Sequence, residues 1–136
     1  MRVLRVCPAH SVLIAEDDAL VLTLLVRLFD GPCWRVIARE NGPAALHAIE
    51  DDRTLELLIL DMDMPVFGGA EVCRRACDSG CRIPAILITG CAPDDVDFAD
   101  LPANAVRCIQ KPFNIDRLPR IAELLLAARE CRAPAC

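Results

Sequence analysis

Apolar residues fall along this chain in two alternating rhythms. Short unbroken runs (Val12-Leu13-Ile14-Ala15, Leu57-Leu58-Ile59-Leu60, Ala85-Ile86-Leu87-Ile88) are separated by longer stretches with apolar positions at helical spacing, such as Val21, Leu24, Leu25 and Leu28. A short continuous run suits a strand covered on both faces, and recurrence near 3.6 residues suits a helix packed on one side. The pattern predicts strands at about Val12 to Ala15, Trp34 to Ala38, Glu56 to Leu60, Pro84 to Ile88 and Ala105 to Ile109. Helices are predicted at about Ala19 to Phe29, Pro43 to Asp51, Gly69 to Asp78 and Asn114 to Arg129. Asp30-Gly31-Pro32 and Ser79-Gly80 stop the first and third, Pro43 suits a first helical turn, and Pro119 delays or bends the last. Strands alternating with helices imply an α/β fold, a doubly wound five-stranded parallel sheet with helices on both faces. Residues 91 to 104 carry Pro93, Pro102 and Asp94, Asp95, Asp97 and Asp100 with little apolar periodicity, so a weak fourth helix is expected there.

At 136 residues the chain has the size of one domain, and 54% hydrophobic content with 4% aromatic means a core of Leu, Val, Ile and Ala. Residues 11–130 are assigned to that domain, 1–10 to an N-terminal extension and 131–136 to a C-terminal tail. A net charge of −5 argues against nucleic acid as a partner. The apolar stretches are strand-length or broken by Thr23 and Arg27, so no membrane span is expected. Glu16 and Asp17 arrive too early for a signal peptide, which points to a cytoplasmic location. Nine scattered cysteines, an odd count, fit reduced thiols better than a disulfide framework. Cys73, Cys77 and Cys81 recur every four residues, but without a CxxC pair or a nearby histidine they read as packing residues rather than a zinc site.

The polar residues that end the apolar runs carry the chemistry. Ala15 gives way to Glu16-Asp17-Asp18, Leu60 to Asp61, Ile88 to Thr89-Gly90, and the last strand to Lys111-Pro112. Behind Asp61 come Met62-Asp63-Met64-Pro65 and Gly68-Gly69, a turn. In an open parallel sheet the C-terminal strand ends form the ligand-binding edge. Acids, a hydroxyl and an ammonium gathered there suit phosphoryl chemistry assisted by a divalent metal. Singly, each has a bland reading: acids at strand ends cap helices (Asp18 for the first helix), Lys-Pro makes a turn, and Thr89 closes a strand. Their joint placement favours one site.

Those residues, in that order, resemble the response regulator receiver domain, the phosphoacceptor module of two-component signalling, over residues 11 to 130. The resemblance implies a flavodoxin-like (βα)5 fold. It makes Glu16 and Asp17 the acidic pair, Asp61 the phosphorylated aspartate, Thr89 the switch hydroxyl and Lys111 the lysine before Pro112. It also implies Mg2+ held by Asp17, Asp61 and the backbone carbonyl of Asp63, with Glu16 acting through a bound water. The donor would be a histidine kinase, hybrid kinase or histidine phosphotransferase, and output would pass to an unnamed downstream protein. The chemistry is coherent, because a carboxylate nucleophile and a phosphoryl donor repel each other. All-oxygen ligands that retain waters suit Mg2+, which offsets the repulsion, while Lys111 and Thr89 attend to the remaining phosphoryl oxygens. Such a protein is not an enzyme beyond Mg2+-dependent self-phosphorylation and autodephosphorylation.

Two other readings share these residues. Asp61-x-Asp63 after an apolar strand also resembles the nucleophile motif of haloacid-dehalogenase-type phosphatases, but there the metal-binding acids follow the lysine, and here the pair precedes Asp61. A pseudo-receiver scaffold is disfavoured because every phosphoryl-site residue is present. The chain departs from receivers at Cys108, where a Tyr or Phe is usual, and at Gly90, where Ala is usual. With no Tyr in the chain, an aromatic switch at position 108 is ruled out. The Thr89-Gly90 pair resembles stand-alone receivers with a poorly formed fourth helix, so phosphorylation is expected to order residues 91 to 104. The Asp63 side chain is expected to overhang the mouth of the site. On the first helix, Val21, Leu24, Leu25 and Leu28 are assigned to the sheet, and Leu22, Val26 and Phe29 to the last helix or the phosphodonor. His10 in the extension and His47 on the surface are not phosphodonors.

Overall fold

The computed structural model describes residues 10–90, 104–111 and 114–132. Strands β1 (His10–Ala15), β2 (Trp34–Arg39), β3 (Leu57–Asp61), β4 (Ala85–Thr89) and β5 (Ala105–Gln110) form one sheet in the order β2-β1-β3-β4-β5. Every pairing is parallel. Four helices are described: α1 (Ala19–Leu28), α2 (Gly42–Asp51), α3 (Gly69–Asp78) and α4 (Leu118–Arg132). The chain reverses its direction of growth between β1 and β3, and that switch point opens a crevice at the C-terminal strand ends.

The unbroken apolar runs are explained by burial on both faces. Leu13, Leu58, Leu60 and Leu87 meet Ala45, Val72, Cys73 and Ala76 from α2 and α3. Val12, Ile14, Leu57, Ile59, Ile86 and Ile88 meet Leu22 and Leu25 of α1, Phe29 just beyond its end, and Leu118, Ala122 and Leu126 of α4. Each of the buried Val, Leu, Ile and Phe side chains stabilises the fold by about 1.5–3 kcal/mol relative to exposure. The second stripe of α1 thus belongs to the core it shares with α4. The first stripe is corrected in part: Leu24 is 43% exposed and its neighbour Leu20 70%.

Helix ends follow the local chemistry. Asp18 caps α1, its Oδ1 accepting from the amides of Leu20 and Val21 at 2.9 and 3.2 Å. Asn41 caps α2 through the Ala44 amide at 2.8 Å, with Pro43 in the first turn. Gly80, at φ 91°, closes α3 while the Cys81 amide donates to the Ala76 carbonyl at 2.9 Å. A 3-10 turn at Ile115–Arg117 delays α4, so Pro119 falls in its first turn, where a missing N–H costs nothing.

The ends of the domain shift slightly. His10, assigned to the extension, is the first residue of β1 and pairs with Trp34, and α4 reaches Arg132, within the assigned tail. Trp34 packs edge-on against Phe29, with ring centroids 4.8 Å apart, and His10 lies 5.5 Å from it. The register of β4 and β5 slips by one residue, Ala85 facing Ala105 and Ile86 facing Arg107. The expected weak helix falls largely on residues 91–103, outside the described residues. No helix among the described residues is long and apolar enough to cross a membrane.

Candidate functional site

Three strand ends deliver the acids and the cation to one place. Glu16 follows β1 and is 1% exposed; Asp61 ends β3 and is 3% exposed; Asp17 beside them is exposed. One carboxylate oxygen from each of Glu16, Asp17 and Asp61 lies within 4.8 Å of the others. Lys111, just beyond β5, bridges the two buried acids, its Nζ 3.2 Å from Glu16 Oε2 and 3.1 Å from Asp61 Oδ2. Thr89 ends β4 and is buried, and its carbonyl accepts from the Lys111 amide at 2.7 Å, fixing where the lysine leaves the sheet.

The charge balance is uneven. Two buried carboxylates share a single ammonium, and a third stands at the rim. Burial, then the hydrogen bond with Asp61, pushes the Glu16 carboxyl from its ordinary 4.5 up to about 7. For Lys111 burial works against the charge, but the hydrogen bonds to Asp61 and Glu16 outweigh it and raise its pKa. A site that strains to hold its own negative charge, and offers only oxygens, fits a hard divalent cation. Glu16, Asp17 and Asp61 are the side chains that would hold it.

The loop after Asp61 is tightly specified. The Asp63 amide donates to Asp61 Oδ1 at 3.0 Å, and Asp63 itself is exposed. A Cβ on Gly68 would stand 1.7 Å from the Met62 carbonyl oxygen, so only glycine lets the chain return here. A Cβ on Gly69 would likewise crowd the Asp61 carbonyl oxygen, at 2.8 Å. The sequence marked Gly68-Gly69 as a turn without showing which contact demanded it. It also missed the direct ion pair from Lys111 to Glu16, for which a lysine and an acid 95 residues apart give no local signal.

Among the other expectations, Cys108 is half-buried, facing Leu87 across the sheet and packed against the core under α2 and α3. His47 is an exposed residue of α2, 3.8 Å from Asp51. Among the described residues the acid cluster is the one group that could hold a metal; Cys73, Cys77 and Cys81 form none.

The family model for the response regulator receiver domain matches residues 12–123. The chain belongs to that family. The receiver is 31% identical over 123 residues to the response regulator receiver protein CpdR of Brucella abortus, covering 86% of this chain and 98% of that one. It is 34% identical over 109 residues to the response regulator MprA of Mycobacterium ulcerans, covering 79% of this chain. There the chain spans about half the relative's length, 46%. The solved structure of TrrA from Thermotoga maritima, in complex with Mg2+ and BeF, superposes with a TM-score of 0.73 at 25% identity, covering 85% of this chain and 98% of that one. The phosphatase reading is thereby set aside.

Proposed function

We propose that this receiver accepts a phosphoryl group on Asp61 from the phosphohistidine of a kinase or phosphotransfer protein in the cytoplasm, and loses it slowly by its own hydrolysis. The observation that carries this is the buried Asp61 carboxylate flanked by Glu16, Asp17 and Lys111. Asp61 Oδ2 is paired with the ammonium, while Oδ1 holds the Asp63 amide, so the nucleophile is fixed before any donor arrives. Lys111 would neutralise one phosphoryl oxygen, and Thr89, at the end of the neighbouring strand, would donate to another. Mg2+, held by Asp17, Asp61 and the Asp63 carbonyl with Glu16 behind, would offset the repulsion between donor and carboxylate. TrrA, solved with Mg2+ and BeF, supports that choice of cation. The phosphorylated protein would then signal by docking on a further protein.

Intact mass after incubation with Mg2+ and acetyl phosphate, beside an Asp61→Asn control, tests this. An alkali-labile, phosphoryl-sized gain that needs both Mg2+ and Asp61 is the expected result. The same gain in the Asn variant would overturn it.

A further inference from the structure

The loop behind Asp61 is held by contacts that the acid cluster does not itself require. Phe67 lies against Gly42, the first residue of α2: a Cβ there would stand 2.1 Å from the Phe67 carbonyl oxygen and 2.6 Å from the ring carbon Cδ1. The guanidinium of Arg75, from α3, covers the Phe67 ring at 4.2 Å from its centroid and is tied to Glu71 at 3.0 Å. One residue earlier, Val66 has φ 74°, and the Phe67 amide donates to the Pro65 carbonyl at 2.9 Å. That is a tight three-residue turn in the left-handed region, which a β-branched side chain resists. Val66 is also 84% exposed, so its own packing does not hold it there. A strained conformation persists only where its neighbours over-determine it.

We propose that Phe67, gripped by Gly42 and Arg75, is a positioning residue for the divalent-cation site. It holds the Val66 turn and, through the Gly68–Met62 contact, the peptide of Asp63. The proposal rests on the reading of this site as a Mg2+-binding phosphoacceptor. Asp61 is fixed by β3, and Glu16 and Asp17 directly follow β1, whereas Asp63 belongs to a loop whose course is set between Met62 and Gly68. If the Phe67 ring is removed, Val66 relaxes to negative φ and the peptides between those two points turn with it. The Asp63 carbonyl, the loop's ligand on that reading, is then no longer held in place.

Calorimetric titration of Mg2+ into metal-free protein decides the matter, with circular dichroism confirming that each variant is folded. Phe67→Ala is expected to weaken Mg2+ binding tenfold or more, roughly the effect of losing a supporting partner of a metal ligand. Adding Val66→Gly, which accepts φ 74° without strain, recovers most of the affinity in the double variant. A purely structural role for Phe67 would not be rescued by a glycine. Should Phe67→Ala unfold, Phe67→Leu gives the same test with more of the bulk kept. Wild-type affinity in the single variant, or a double variant as weak as the single, overturns the proposal. A wild-type protein that binds no Mg2+ overturns the underlying reading as well, and so separates the two failures.

Discussion

In the metal-free protein the acid cluster opposes folding, and replacing Asp61 with Asn should relieve this at alkaline pH. Glu16 and Asp61 are 1% and 3% exposed, and Lys111 serves both. The folded protein holds the Glu16 proton up to about pH 7, the unfolded chain only to about 4.5. The contribution of this proton to stability is therefore complete below about 4.5, fades as pH rises and is gone above about 7. At 1.36 kcal/mol per pKa unit, ionising Glu16 costs the fold about 3 kcal/mol by pH 8. Burial is the largest cause and survives the substitution, so only the smaller share that comes from Asp61 is removed with it. At pH 5, where Glu16 is neutral, the same substitution takes away the carboxylate partner of Lys111 and destabilises. Thermal unfolding by circular dichroism in chelator should thus show the variant gaining on wild type between pH 5 and pH 8, the loss of the Lys111 pair being common to both pH values. The His10–Glu56 pair, at 3.1 Å, is common to both proteins and cancels in the difference. Mg2+ at ten times its dissociation constant should stabilise wild type by about 1.4 kcal/mol and the variant by less. A difference between the two proteins that does not move in the variant's favour between pH 5 and pH 8 would refute the reasoning.

Other consequences can be checked as directly. The Thr54 hydroxyl, then Arg35 at 2.8 Å, holds the Asp52 carboxyl down from 3.8 to about 2, so its contribution is present above about 3.8 and lost as pH falls through about 2. Asp52→Asn should flatten the acid limb of a urea-unfolding series by about 1 kcal/mol, allowing for partial exposure. Gly68→Ala, with no space for its methyl, should cost about 2 kcal/mol or more and suppress the mass gain from acetyl phosphate; unchanged melting with full phosphorylation would show that the loop has room. Burial pushes the Cys73 thiol up to about 12, so alkylation of the native protein should reach exposed Cys33 long before Cys73; equal rates would contradict the packing of α3.

The sheet and the edge that carries the acid cluster were legible because strands buried on both faces write themselves as unbroken apolar runs. The residue after each run had to emerge at the sheet's C-terminal edge, which placed Glu16, Asp61, Thr89 and Lys111 together. What stayed hidden depends on packing between elements distant in sequence. Leu24 fits the apolar spacing of α1 as well as Leu25 does, yet only Leu25 is buried. Asn104 closes the stretch read as a weak fourth helix, but it is buried at the entry to β5, donating to the Ile83 carbonyl at 3.0 Å and receiving the Cys77 thiol at 3.1 Å. Phe67 gave no periodic signal because its partners, Gly42 and Arg75, come from two different helices.

The single tryptophan stands at the first residue of β2, edge-on to Phe29, at the pole of the sheet opposite the acid cluster. A six-residue strand puts roughly 17 Å between its two ends. Intrinsic fluorescence will therefore report the loss of the core faithfully and ignore events at Asp61. A flat emission trace during cation or phosphodonor titration would be silence from a distant chromophore, and detection at Asp61 calls for a label placed at the opposite pole.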